Sequence, residues 1–492
     1  MLENEFHKLE EKQEIRTTIS QIRKEIKKQD SKKAFLELLS GIVAFLSDED
    51  AKTRKNTALL IGDLKLEQAK EALIAAYLNE TTLYVKSAYL TALGKLDVRE
   101  NLEFFKNRLQ EVKNQQVPAE EQKHQGEEIR ELNEIILKTE GAKKHQFTGF
   151  QMPHEMLLLT NREQREVTLS EVKEIGASVQ RKAELHPLGV LVFSKEVTPF
   201  TKLRTYRELL FPIHTNERIP AMPHRAAELL WHSDLYAFLT ECHEGDAPFF
   251  FRLEVKSAEP KTEFVKKLGA SLEKKSDWKL ANSTTDYEIE IRLIEAKDGS
   301  FVPFLKLYSM KMKRFAYRKN AIAMSIHPAT AAMLMYLAKP YLKENAQILD
   351  PCCGVGTMLI ERDILVPARE KYGIDIFGDA IDMARENAVL AGEKINFIHR
   401  DYFDFKHDYK FDEIVTNMPV KGKKAKEDMD AFYARFFEKS KSLLAEDGII
   451  IMYSNEVGFV KKQLRLQPCY RLIQEYTIRK KDSYCLFIIG MK

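Results

Sequence analysis

Cysteine is scarce: the five present, Cys242, Cys352, Cys353, Cys469 and Cys485, form no set of paired CxxC spacings. That argues against a disulfide framework and against structural zinc, and it suits a reducing compartment. The histidines His154, His186, His224, His232, His243 and His327 match no zinc spacing either, so no metal is expected. Long apolar runs are missing, since none approaches the roughly 18 residues of a membrane span. The opening stretch MLENEFHKLEEKQEIRTTISQIRKEIKKQD is charged throughout and has no secretory apolar core, so a cytoplasmic, membrane-free protein is expected. An excess of one charge is missing as well. With a formal net charge of +3, any nucleic-acid site must be a local patch. What is present is length and apolar content: 492 residues, 44% hydrophobic, enough for roughly three domains with sizeable cores.

The first third repeats itself. RKNTALLIGDL (Arg54 to Leu64) and KSAYLTALGKL (Lys86 to Leu96) superpose with Gly62 on Gly94 and Leu64 on Leu96. With KKAFLELLSGIVAFL before them, they read as helical hairpins at a HEAT-like period over residues 1–113, one face of which is a candidate docking surface for a protein partner. Residues 114–150 are rich in charge and Gln around a helical middle and read as a charged helical linker. From 151 to 310 the period changes. EMLLLT, GVLVFSK, FFFRLEVKS, DYEIEIRLIEA and FVPFLKLYS have strand patterns. SEVKEIGASVQRKA, PFTKLRTYRELLFPI and KTEFVKKLGASLEKK have helical ones, which makes this an α+β region.

Residues 311–492 have α/β rhythm. Strands at AQILD, KYGID, INFIH, DEIVTN and GIIIMYS alternate with helices at TMLIERDIL, AIDMARENAVLAG and EDMDAFYARFFEKSKSLL, which predicts a parallel sheet covered on both faces. YRLIQEYTIRKKDSYCLFIIGMK reads as two closing antiparallel strands. In such a sheet, ligands bind beyond the carboxyl ends of the strands, and the turn after Asp350 lies there. Gly354 and Gly356 let backbone approach a ligand, and Thr357 starts a helix whose amides can meet a carboxylate or phosphate. The third glycine of a dinucleotide fingerprint is replaced by Leu359, which lowers the NAD reading. Asp375 ends the next strand roughly 20 to 25 residues on, where an acid bonds ribose hydroxyls. Asp401 follows the third strand and could receive an adenine amine.

The fourth strand ends in TNMPVKGKK. Together with LDPCCGVGTMLIE, GIDIFGDAIDMARENAVLAG and YRKNAIAMSIHPATAAMLMYLA, it resembles class I S-adenosylmethionine (SAM)-dependent methyltransferases. The nearest likeness is to the RNA methylase group that contains the THUMP-domain tRNA guanine-N2 methyltransferases. The resemblance is specific over about Tyr317 to Tyr453 and looser over Met152 to Ser309, where MLLLTNREQREVTLSEVKEI resembles the RNA-binding THUMP region. It implies a Rossmann-like methyltransferase domain that holds SAM through Asp350, Cys352, Gly354, Gly356, Thr357, Asp375, Ile376, Asp401, Tyr402 and Asn417. It also implies that Asn417, Met418 and Pro419 are catalytic. An exocyclic base amine is a poor nucleophile, so transfer needs acceptors that hold its protons and align the nitrogen. The Asn417 amide oxygen and the Met418 carbonyl can do this, and Pro419 stiffens the turn.

The chain departs from that family at Val420, where a Tyr or Phe would stack on the base. A nearby Phe432 or Tyr433 could substitute, although DAFYARFF also reads as a helix packing into the core. Basic clusters flank this region: Lys313, Arg314 and Arg318 before the domain, and Lys421, Lys423 and Lys424 after the turn, all candidate RNA contacts. The expected activity is methylation of an RNA base amine, guanine N2 in tRNA or rRNA. The alternatives are adenine N6, a protein glutamine, or a scaffold with a decayed catalytic domain.

Overall fold

The computed structural model describes residues 15–26, 39–118, 120–140, 144–176, 180–245, 248–420 and 429–492. It divides into two units, Met1–Lys144 and His145–Lys492.

The described part of the first unit is helical: α1 (Ile15–Ile26), α2 (Leu39–Ala44), α3 (Ala51–Leu64), α4 (Lys70–Asn79), α5 (Leu83–Leu93), α6 (Leu102–Asn114) and α7 (Gln122–Glu140). Asp50 starts α3 by accepting from the Lys52 and Thr53 amides at 3.2 and 3.1 Å, which satisfies donors that the first turn leaves open. The two aligned glycines face neighbouring helices, and only at Gly62 does close approach exclude a side chain. A Cβ on Gly62 would lie 2.7 Å from the Ala92 Cα of α5, and one on Gly94 would lie 3.4 Å from the Ile135 side chain of α7. The charged segment 114–150 contains α7, whose Ile129, Leu132 and Ile135 are buried in this unit. The buried Glu128 on the same helix is held by Arg108 and the Tyr77 hydroxyl.

The second unit contains two large sheets and a two-stranded ribbon of β1 (Gln146–Phe147) and β6 (His243–Glu244). The first large sheet has the order β3-β4-β2-β5-β10-β9-β7-β8. Its strands are β2 (His154–Leu159), β3 (Arg181–His186), β4 (Gly189–Ser194), β5 (Glu208–Pro212), β7 (Phe249–Lys256), β8 (Leu280–Asn282), β9 (Ile289–Glu295) and β10 (Phe301–Leu307). Helices α8 (Arg165–Glu174), α9 (Pro223–Trp231), α10 (Leu235–Glu241) and α11 (Thr262–Lys275) accompany it. Two helix expectations fail here. In SEVKEIGASVQRKA, α8 ends at Glu174 and Arg181 begins a strand. In PFTKLRTYRELLFPI, a short 3-10 turn at Thr198–Lys202 precedes β5. Leu209, Leu210 and Phe211 are all buried between β2 and β10, and a short strand covered on both faces carries the same apolar run as a buried helix.

The second large sheet has the order β13-β12-β11-β14-β15-β17-β16. Its strands are β11 (Gln347–Asp350), β12 (Glu370–Asp375), β13 (Asn396–His399), β14 (Phe411–Asn417), β15 (Leu444–Ser454), β16 (Tyr470–Arg479) and β17 (Tyr484–Met491). The five strands from β11 to β15 are parallel, and β17 enters antiparallel between β15 and β16. Helices α12 (Pro328–Ala338), α13 (Thr357–Leu365), α14 (Gly378–Ala391), α15 (Met429–Leu443) and α16 (Val457–Leu466) cover it. Alternation along β15 shows both faces covered: Ile450 and Met452 join the core with Phe436 and Phe437 of α15, whereas Ile449 and Ile451 join that with Ala331 and Leu334 of α12.

A buried ion pair joins the two sheets' regions. The Arg204 guanidinium donates twice to the Glu361 carboxylate, each at 2.8 Å, and the Tyr317 hydroxyl adds a third donor at 2.6 Å. Arg314 lies 3.7 Å over the Tyr206 ring and donates to the carbonyls of Leu203, Tyr206 and Arg207.

Candidate active site

Strand order in the second sheet changes direction at β11, with β12 and β13 on one side and β14 onward on the other. Crevices open at the carboxyl ends of strands at such a point. A cavity of about 530 Å³ lies there and collects Asp350, Cys352, Gly354, Thr357, Asp375, Asn417, Met418 and Pro419 from the predicted set.

The turn after β11 is held by its own backbone. Cys353 donates to the Ile374 carbonyl at 2.9 Å, and Gly356 to that of Cys353 at 2.8 Å. Gly354 and Gly356 have φ of +51° and +82°, values that side chains disfavour. At Gly356 space also forbids a side chain, since a Cβ would sit 2.9 Å from the Phe397 ring. Around Gly354 nothing lies within 4 Å of such a Cβ, so backbone is open to a ligand. The Gly354 amide donates to Asp375 at 2.8 Å, and Phe377 donates to the other carboxylate oxygen at 3.0 Å. Asp375 is thereby aimed across the turn.

Asp350 is fully buried. One of its oxygens accepts from the Cys352 amide at 3.1 Å; the other has no hydrogen-bond partner among the described residues, and neither does the buried Thr357 hydroxyl. Burial, aided by the charge of Asp375, pushes the Asp350 carboxyl up to about 8. A buried carboxylate with one oxygen lacking a hydrogen-bond partner among the described residues suits a ligand that brings a cation. The adjacent thiols are raised by burial and stay protonated. Cys353 packs with Ile348, Leu359 and Phe397. Among the described residues, no group of three or more His, Cys, Asp or Glu could hold a metal ion.

Four predicted cofactor residues do not line the cavity. Gly356 acts behind it, as the left-handed start of α13. Ile376 is exposed and accepts from the His399 ring through its carbonyl. Asp401 caps the short turn Tyr402–Asp404 by accepting from Phe403 at 2.9 Å, and the buried Tyr402 hydroxyl meets Ser440 at 2.9 Å.

The Asn417-Met418-Pro419 turn is fixed by β15. Asn417 is in register with Tyr453, whose carbonyl accepts from the Met418 amide at 2.9 Å. Tyr433 is a core residue, its hydroxyl 2.6 Å from that of Ser454, and the half-buried Phe432 packs against the same core. Of the predicted RNA contacts, Lys313 is exposed, whereas Arg314 spends its donors on the three carbonyls above and Arg318 donates to the Ile326 carbonyl at 3.0 Å. Lys421, Lys423 and Lys424 lie outside the described residues.

The cavity also contains residues that the sequence reading missed: Arg207 from the first sheet's region, Tyr453 on β15, Arg479 at the end of β16 and Tyr484 at the start of β17. His327 lines it too and caps α12 by accepting from Ala329 at 3.2 Å. Burial, together with the positive charge of Arg207, Arg318 and Arg314, holds that imidazole down at about 4, hence neutral. The signal for Tyr484 and Arg479 lay in the closing hairpin: a strand inserted beside β15 carries its end to the catalytic turn.

Residues 316–481 match the family model UPF0020, described as RMKL-like, methyltransferase domain. The tRNA (guanine(10)-N2)-dimethyltransferase of Methanothermobacter thermautotrophicus is 33% identical over 162 residues, covering 32% of this chain and 46% of the relative. The ribosomal protein L11 methyltransferase of Thermotoga petrophila is 25% identical over 196 residues, covering 37% of this chain and 64% of the relative. The chain thus spans less than two thirds of the length of either relative. The crystal structure of SMU.472 complexed with SAH superposes with a TM-score of 0.52 at 14% identity, over 69% of this chain and 98% of that one. The second unit therefore has a methyltransferase fold, and residues 316–481 within it match a methyltransferase domain. No helix among the described residues is long and apolar enough to cross a membrane.

Proposed function

We propose that the protein methylates an exocyclic amine of an RNA base, guanine N2 in tRNA or rRNA. The observation that carries this reading is the meeting of the Asn417-Met418-Pro419 turn with the Asp350–Asp375 cradle in one cavity. SAM supplies an electrophilic methyl carbon and leaves as S-adenosylhomocysteine. Asp350 would take its ammonium, Thr357 and the open backbone at Gly354 its carboxylate end, and Asp375 its ribose hydroxyls. The base nitrogen would take the methyl group with its lone pair, the electron pair of the C–S bond leaving with S-adenosylhomocysteine. The Asn417 amide oxygen and the Met418 carbonyl accept the amine's N–H groups and hold the nitrogen in line, and the surplus proton leaves to water.

On this reading the chain has a HEAT-like repeat region at 1–113 that docks a protein, a charged helical linker at 114–150, a THUMP-like RNA-binding region at 151–310 and the catalytic domain at 311–492. It works in the cytoplasm. Lys313, Arg318 and the lysines Lys421, Lys423 and Lys424 contact RNA phosphates. The similarity to a ribosomal protein methyltransferase favours a second acceptor, a protein amide or amine, because the same turn can hold either nitrogen. Incubation with labelled SAM, total RNA and ribosomal proteins decides between them. Label in N2-methylguanosine after nucleoside digestion is expected; label confined to protein would overturn the RNA reading.

A further inference from the structure

Val420 leaves the catalytic turn without an aromatic face, and neither Phe432 nor Tyr433 reaches the cavity. The cavity's other aromatic side chains are Phe377, on the Asp375 side, and the pair Tyr453 and Tyr484. Those two tyrosines stack with ring centres 4.9 Å apart and planes 27° apart. Tyr453 is buried and in register with Asn417, so it backs the stack from the strand beside the Asn417 turn. Tyr484 is half-buried, and the Arg479 guanidinium lies 4.7 Å from its ring centre. Together they make a stack of two rings and a guanidinium beside Asn417.

The wall is built into the hairpin. Thr477 pairs with Cys485 and Arg479 with Tyr484, so Ile478 is an extra residue on β16, a bulge. Bulges re-aim the side chains that follow, and this one sets Arg479 directly across from Tyr484. The bulge is anchored from the first sheet's region: Asn161 donates to the Ile478 carbonyl at 2.9 Å and Gln164 to that of Thr477 at 2.8 Å. The exposed Arg207 lines the same cavity, donating to the Thr330 hydroxyl at 3.3 Å. Arg479 also pairs with the exposed Asp482.

We propose that the Tyr484–Arg479 wall is the acceptor-base subsite: an unpaired purine lies flat against it, doing for this chain what Val420 cannot, while Arg207 meets a flanking phosphate. Rings and guanidinium planes both stack on unpaired bases. The inference rests on the RNA reading above.

The test measures three quantities on the full chain: acceptor KM with total tRNA, tRNA affinity by fluorescence anisotropy, and SAM affinity by calorimetry. Tyr484→Leu keeps apolar bulk and loses the ring, so acceptor KM and tRNA Kd should rise about 10-fold or more while SAM affinity stays within about twofold. Tyr484→Phe keeps the ring and should lie much nearer the wild type. Arg479→Lys keeps the charge and loses the plane, so it should weaken tRNA by several-fold even at low salt. If the wild type methylates RNA but Tyr484→Leu and Arg479→Lys leave acceptor KM unchanged, the wall is overturned and the RNA reading stands. Loss of SAM binding in Tyr484→Leu would assign the wall to the cofactor instead. If the wild type methylates no RNA, both proposals fall together.

Discussion

The two sides of the cavity are assembled in opposite ways. The side proposed for SAM comes from one short strand-turn-helix, β11 to α13, plus the acid that ends β12, and most of its geometry is backbone: two left-handed glycines, an amide on Asp375, and one buried carboxylate oxygen with no hydrogen-bond partner among the described residues. The side proposed for the acceptor comes from four remote places, with Arg207, Asn417, Tyr453 and the Arg479–Tyr484 pair each on a different strand or loop. Local backbone geometry suits a ligand that never changes, whereas a surface of side chains from distant segments can be altered piecemeal to suit a different acceptor.

The comparison breaks most sharply at Asn417, the residue that touches both sides. Asn417→Ala should lower the rate of transfer about 10²-fold or more, as loss of one positioned polar group in an active site does, while SAM affinity stays within about twofold. Single-turnover kinetics beside calorimetry checks it; persistent methylation would remove Asn417 from the catalytic role.

The next largest effect tests the joint between the sides. Arg204→Ala leaves Glu361 buried without its cation and should destabilise the second unit by about 3 kcal/mol, read from thermal or denaturant unfolding. An acceptor side that depends on the joint should then lose tRNA affinity before SAM affinity.

Asp375→Ala should cost about 10- to 100-fold in SAM affinity, the worth of charged hydrogen bonds to ligand hydroxyls plus the acceptor that the Gly354 and Phe377 amides lose. Equal SAM binding by the variant would show the cofactor side to be misassigned.

The most gradual effect is a pH dependence confined to the side proposed for SAM. Because the Asp350 carboxyl lies near 8 without ligand, it must lose a proton to meet a cation. SAM affinity should therefore climb between pH 6 and pH 8, by up to about tenfold per unit. The sign for stability is the reverse. A carboxyl raised in the folded state contributes stability that is present below its ordinary range and lost as pH rises through about 8. Asp350→Asn should flatten the SAM profile and, without ligand, unfold at a higher temperature than the wild type above pH 8.

Legibility followed the same division. Asp350, Gly354 and Asp375 could be read from the chain because glycine at a positive φ and an acid at a strand end are demanded locally. Asp401 and Tyr402 were read by the same logic, yet they line no cavity: the acid caps a short turn and the tyrosine packs on Ser440. A capping aspartate and a ligand-binding one have the same local sequence. Phe432, Tyr453 and Tyr484 present the converse case, since nothing near them in sequence distinguishes a core ring from a cavity wall.

The sequence by itself determined the alternation that makes the second sheet, the glycine turn and the Asn-Met-Pro corner, because hydrophobic period, backbone freedom and ring stiffness act over a few residues. Only the tertiary structure decided that β17 inserts beside β15, that a bulge at Ile478 swings Arg479 over Tyr484, and that Arg207 arrives from another sheet. Those meetings depend on register and on packing between segments far apart in the chain, which no local pattern encodes.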